Sequence, residues 1–318
     1  MSAVSSQTGT VDFVFIFIIS ISVFFLLLIT FLMVFFIFKY NKNRNQKPKD
    51  IHGNTALEIA WTVIPTILVL FMFYFGWKGF EFLRKAPSDA MVVNVTGRMW
   101  SWGFEYQNGA KVDTLHVPVN KPVKLVLNSQ DVIHSFYVPA FRVKEDAVPG
   151  MQNHLWFEAN ETGNYDVLCA EYCGLRHSYM LTKIKVVPEE DFNDWYADIG
   201  KQVIKTASGE TTVDQNDSVP PVADGERLAK IHGCFSCHST DGSKLVGPSL
   251  KGVFGHQVTV ITDGKEREIT ADDEYIRRSI LKPAADVVKG FDPIMPSQEG
   301  QLTEEELVAL IQYIKGLK

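Results

Sequence analysis

The sequence predicts a multidomain membrane protein: a two-helix transmembrane hairpin, then an all-β sandwich, then an all-α C-terminal domain. Three observations lead there. Two long uncharged stretches lie near the start, short alternating apolar runs fill residues 91 to 187, and helical spacing returns in the last hundred residues. The expected boundaries are 1–90 for the hairpin, with spans at about 13–38 and 59–80, then 91–187 for the sandwich, 188–220 for a linker and 221–318 for the last domain. A length of 318 residues suits two domains or slightly more, and a net charge of −6 gives no basic surface for nucleic acid.

Phe13 to Phe38 carries no charge and exceeds the roughly 20 residues that cross a hydrocarbon core. Ile59 to Trp77 is also uncharged, with Pro65 near its start. A buried core helix and a signal peptide are the competing readings. The first stretch outruns a signal h-region and lacks a positive n-region, so a pair of membrane helices in contact with lipid is expected. Lys39, Lys42, Arg44, Lys47 and Lys49 face only Asp50 in the intervening loop, and no Lys or Arg precedes Phe13. This asymmetry keeps the loop in the cytoplasm and puts both termini outside, in a two-pass protein of a bacterial plasma membrane.

The β region reads as MVVNVTG, WSWGFEY, TLHVPV, VKLVLNS, IHSFYV, NHLWFEA, YDVLC and MLTKIKVV, separated by Gly, Pro or Asn. Such even spacing argues for a sandwich or barrel. Trp100, Trp102, Phe104 and Tyr106 alternate, which places them on one strand face, with core packing as the default role. His116 and His154 have no sulfur neighbour in sequence and read as ordinary strand histidines.

Chemistry concentrates in CAEYCGLRHSYM, where Cys169, Cys173, His177 and Met180 fall within twelve residues, and in His134 upstream. Because strands flank the cluster, it is a loop and not a helical stripe. Two thiolates, two imidazoles and a thioether suit copper and electron transfer. Zinc and a disulfide compete, but zinc does not use a thioether. At these residues the chain resembles subunit II of haem-copper cytochrome c oxidases, whose dicopper (CuA) loop has the form C-x-E-x-C-x-x-x-H-x-x-M on a cupredoxin-like sandwich. The resemblance covers about residues 13 to 187. It implies that Cys169 and Cys173 bridge two coppers, that His134 and His177 bind one copper each, that Met180 is a weak ligand, and that Glu171 ligates through its carbonyl.

The two remaining cysteines form Cys234-Phe-Ser-Cys237-His238, the C-x-x-C-H signature of covalent haem c with an imidazole iron ligand. A thioredoxin-like motif would need a βαβ setting, and zinc a second Cys/His pair. Met295 is the only methionine after Met180, so it is the leading candidate for the sixth ligand, ahead of His232 and His256. From 221 to 318 the chain resembles cytochrome c domains. GPSLKGVFG then implies Gly247 and Pro248 on the proximal side, with the Pro248 carbonyl orienting His238. Thr303 and Glu306 form a capping box ahead of an apolar face of Leu307, Leu310, Ile311 and Ile314. Between the domains, 188–220 starts acidic and helix-prone and continues polar, which reads as a tether that does not pack and that raises the effective concentration of one site at the other.

The oxidase resemblance implies further roles. Trp100, the first Trp of a W-x-W motif, would receive electrons from cytochrome c. Glu58, in an L-E-x-x-W context, would sit at the mouth of a proton-uptake channel, although a carboxylate at a helix N-terminus is also plain dipole electrostatics. The Glu171 side chain would reach a magnesium ion at the interface with subunit I. Partners would be subunit I, with its haem a and haem-copper site, subunit III, and a soluble cytochrome c or other small redox donor. Neither span contains a histidine, so oxygen reduction would occur in subunit I. A quinol oxidase subunit would lack the copper ligands, while a relay to another reductase, such as one for nitrous oxide, would keep them with a different partner.

Overall fold

The computed structural model describes residues 4–44, 47, 52–207 and 221–318. Lys49 and Asp50 of the basic loop, and linker positions 208–220, lie outside the described residues.

Both membrane helices form and run past the uncharged stretches. Helix α1 (Ser6–Lys39) begins at Ser5, whose Oγ accepts from the Thr8 N–H at 3.3 Å. Helix α2 (Thr55–Arg84) begins at Asn54, whose Oδ1 accepts from the Leu57 N–H at 3.1 Å. Each cap satisfies an N–H group that has no partner within the first turn. The two helices meet through Phe13 and Phe17, both edge-on to Phe75, and a Cβ at Gly79 would stand only 3.5 Å from Val14. Most of their remaining apolar surface is exposed, as suits helices facing lipid or further membrane helices.

The sandwich has ten strands. One sheet has the order β3-β2-β1-β5-β8, formed by Lys111–Val112, Ser101–Tyr106, Met91–Arg98, Pro122–Ser129 and Asn153–Glu158. The other has the order β4-β10-β9-β6-β7, formed by Leu115–Pro118, Leu181–Val187, Gly163–Cys169, His134–Val138 and Val143–Ala147. Pairs β1–β5 and β4–β10 are parallel, so the chain crosses between layers and does not meander. Val95, Phe104, Leu125, Phe136, Val167 and Ile184 fill the space between the sheets. Strands β3 and β7 went unread in the sequence, the first because it has two residues, the second because Lys144, Glu145 and Asp146 interrupt the alternation and only pairing with β6 makes it a strand.

The sandwich is clamped to the hairpin. Trp156 Nε1 donates to the Phe82 carbonyl at 3.0 Å, Arg84 pairs with Glu145, and Arg142 Nε donates to Asp12 Oδ1 at 3.0 Å. Gln7 is fully buried, and its Oε1 accepts from the Glu158 N–H.

Helix α3 (Glu189–Ala207) corrects the expectation of a non-packing tether. Phe192, Trp195 and Tyr196 share one helical face, and they close the end of the sandwich against Tyr106 and His116, with the Trp195 and His116 rings stacked at 4.4 Å. The C-terminal domain packs α4 (Pro221–Ile231) on α6 (Glu304–Gly316), where a Cβ at Gly225 would come within 2.4 Å of the Ala309 carbonyl. The Thr303–Glu306 capping box forms, and Leu307, Leu310, Ile311 and Ile314 are buried. Besides α5 (Asp273–Leu281), the domain adds a small sheet of β11 (Gln257–Thr262), β12 (Lys265–Thr270) and β13 (Val287–Val288), which the all-α expectation omitted. Its hairpin turns at Asp263-Gly264, both at positive φ, a pairing that Asp-Gly favours.

Candidate metal centres

The six donors singled out in the sequence converge at one end of the sandwich. Cys169 ends β9, His134 opens β6 beside it, and the loop between β9 and β10 folds back through one turn at His177–Tyr179. Cys169 Sγ lies 3.7 Å from Cys173 Sγ and 3.9 Å from His134 Nδ1. Cys173 Sγ lies 3.5 Å from His177 Nδ1 and 3.8 Å from Met180 Sδ, and Cys169 Sγ donates to the Glu171 carbonyl at 3.2 Å. His134 and Met180 are fully buried, whereas the Glu171 side chain is exposed. Both cysteines are free, and their separation is far beyond a disulfide bond. Six donors also exceed the four of a structural zinc site, and the sulfur-rich set fits a copper pair.

The electrostatics favour a cation here. Burial raises the Cys169 thiol, but hydrogen bonds with His134 and the backbone of Ser135 and Glu171 overcome it and bring it down to about 6. Burial and the neighbouring Cys169 thiolate push Cys173 up to about 12. Two thiolates at this distance therefore need a bound positive charge. Asp131, which the sequence reading missed, accepts from His134 Nε2 at 2.8 Å and from the Met99 N–H at 2.7 Å. Burial raises Asp131, yet these bonds hold it below the usual carboxylate range, and it fixes the imidazole so that Nδ1 faces the sulfurs. Gly97 leaves room for that ring, since a Cβ would lie 3.0 Å from both His134 and Trp102. The legible signal was a carboxylate three residues before the candidate ligand His134.

In the C-terminal domain, Cys234, Cys237, His238 and Met295 line a single cavity together with Val246, Leu250, Ile276, Ile280, Val288 and Phe291. His238 Nδ1 bonds the Pro248 carbonyl at 2.7 Å, as the cytochrome c resemblance implied, which would leave Nε2 for iron. Burial lowers the His238 pKa and so favours the neutral ring that a metal binds. Gly247 is a cradle, because its Cβ would sit 2.6 Å from His238 Cε1. Burial pushes both cysteine thiols up to about 11. An apolar slot with paired thiols and an imidazole at its wall fits a covalently held haem. Of the rival ligands, His256 is exposed and outside the cavity lining, whereas His232 is buried in that lining.

The two sites abut. Trp100 is 4% exposed, and its Nε1 donates to the Cys173 carbonyl at 3.0 Å. Its own carbonyl accepts from Ser236 Oγ at 3.2 Å, and Ser236 lies between the two haem-motif cysteines. Arg176, in the copper loop, donates to the Ser236 carbonyl, and Gln130 Nε2 donates to Gln301 Oε1 at 2.7 Å. Glu58 stands apart, exposed in the first turn of α2 at the far end of the hairpin.

Residues 1–78 match the transmembrane domain of cytochrome c oxidase subunit II, residues 110–187 its periplasmic domain, and residues 222–318 the cytochrome c family. Cytochrome c oxidase subunit 2 of Alkalihalophilus pseudofirmus is 33% identical over 285 residues, spanning 85% of this chain and 76% of that protein. The protein of the same name from Cereibacter sphaeroides is 33% identical over 182 residues, 45% of this chain and 60% of that one. The crystal structure of the periplasmic domain of subunit II of cytochrome oxidase from Bradyrhizobium japonicum aligns at 33% identity with a TM-score of 0.36, over 37% of this chain and 99% of that one.

Proposed function

The chain belongs to the cytochrome c oxidase subunit II family and carries a cytochrome c domain, and from that premise we propose that it takes in electrons for a respiratory haem-copper oxidase. His134, Cys169, Cys173, His177, Met180 and the Glu171 carbonyl hold a dinuclear copper centre; Cys234, Cys237, His238 and Met295 hold one haem c. When bound, these two groups supply one-electron storage at potentials that the protein sets.

The observation that carries this reading is the short link through Trp100. Its ring bonds the backbone of a copper-loop cysteine, and its carbonyl bonds the serine between the haem cysteines. Burial of the indole keeps water out of this link, and the hydrogen bonds across the seam hold the two sites side by side. Since the C-terminal domain covers Trp100, a soluble cytochrome c or other small donor delivers electrons to that domain and not to the indole.

Electrons leave toward haem in subunit I, where oxygen reduction and proton pumping take place, with subunit III alongside. The exposed Glu171 carboxylate would reach a magnesium ion shared with subunit I, and the exposed Glu58 would serve proton uptake. The hairpin spans the plasma membrane twice and holds both metal domains outside. Metal and haem analysis of the purified complex tests the reading: two coppers beyond the oxygen site and one covalent haem per chain are expected, with a near-infrared dicopper band. Zinc, a cystine, or copurification without haem a and a large polytopic subunit would sink it.

A further inference from the structure

Arg98 ends β1 at the seam between the two domains and is only 7% exposed. Its Nε and Nη1 are buried without a hydrogen-bond partner, and the guanidinium makes no ion pair among the described residues. Together with Met99 it lines the cavity that holds Cys234 and His238. The carboxylate that acts on it is Asp131, and Asp131 is already engaged by His134, Met99 and Val132.

Each domain provides a glycine at this seam. A Cβ at Gly103 would lie 2.9 Å from Arg98 Nη2, and one at Gly233 would lie 2.2 Å from Ser101 Oγ and 3.9 Å from Arg98 Cδ. The other titratable group facing it, His232, is held at about 3 by burial and by the cations Arg98, Lys111 and Arg227, so it is neutral. Burying an unpaired charge costs several kcal/mol, and arginine does not escape that cost by losing its proton. Sequences depart from packing rules in this way where the departure serves a site.

We propose that Arg98 is a permanent buried cation, set between the carboxylate that anchors His134 and the haem cavity, that raises the midpoint potentials of both centres. The proposal rests on the functional reading above. A positive charge favours whichever state holds one more electron, and in a seam that excludes water it is screened far less than at the surface. Each centre gains one electron on reduction; Arg98 keeps its proton throughout, so neither midpoint acquires a pH dependence from it.

Potentiometric titration of the intact complex, reading the haem α-band and the near-infrared copper band, tests this. Arg98→Gln should weaken electron affinity at the haem about tenfold, a 59 mV fall for one electron, with a smaller fall at copper. Arg98→Lys should hold both near wild type. Unchanged midpoints in the Gln variant, or an equal fall in the Lys variant, overturn the proposal. Where the Gln variant does not take up haem, its copper midpoint decides, because that centre still reports the lost charge; no fall there overturns the proposal as well. A wild-type complex that lacks either band overturns the functional reading instead.

Discussion

At the copper site each side-chain donor already stands within 4 Å of a neighbouring one, while in the cytochrome domain the donors line the wall of an apolar cavity, with Met295 reaching it from a loop far along the chain. A small-ion site can be shaped by backbone alone, and here two paired strands and one turn of loop do it. A pocket for a large planar group is different, because the group itself forms part of the core. The first region should therefore keep its fold without cofactor, and the second should depend on it.

The most severe test removes one of the two sulfurs of the copper loop. Cys173→Ser should abolish the near-infrared copper absorption, with a loss of copper affinity beyond the roughly hundredfold that outer partners command, while the haem c spectrum stays intact. Loss of both signals would break the contrast. Conversely, Cys234→Ala/Cys237→Ala should leave the copper band in place and make the cytochrome domain the first target of limited proteolysis.

Smaller changes sharpen it. Asp131→Asn should keep the sandwich folded yet lower copper affinity about 10- to 100-fold, measured by competition with a chelator, because the His134 ring loses its anchor. Trp100→Phe preserves most packing but leaves the Cys173 carbonyl unpaired, at a cost of about 1–3 kcal/mol in thermal or denaturant unfolding, and it should slow electron transfer between the two centres in flash-reduction experiments. The smallest effect belongs to Asp286, which lines the haem cavity but is held by two arginines and is not one of the donors. Burial raises its pKa, but Arg267, Thr262 and Arg278 hold the folded value below the ordinary 3.8. That depression stabilises the fold above about pH 3.8 and is lost as pH falls through the folded value. Asp286→Asn should thus melt earlier than wild type at pH 7, with the gap closing in strong acid.

The contrast also explains which features could be read in advance. Local periodicity and spacing gave away both spans, eight strands, the capping box, the C-x-x-C-H motif and the copper-loop donors, because each lies within a dozen or two residues. Strand β7 escaped, since Lys144, Glu145 and Asp146 look like a loop until β6 pairs with them. Helix α3 was misjudged for a related reason: its acidic composition hid the aromatic face of Phe192, Trp195 and Tyr196. Asp131 and Arg98 were overlooked because their importance comes from what faces them.

By itself, the sequence determined donor chemistry, the membrane hairpin and the order of domains, since residue type and short-range periodicity suffice for those. Only the tertiary structure decided that the C-terminal domain covers Trp100, that Ser236 meets its carbonyl, and that a buried guanidinium with no ion-pair partner among the described residues sits between the two sites. Contacts between residues more than a hundred positions apart leave no trace in local pattern. They arise when strand pairing and burial bring distant surfaces together, and their energies depend on the solvent that those surfaces exclude.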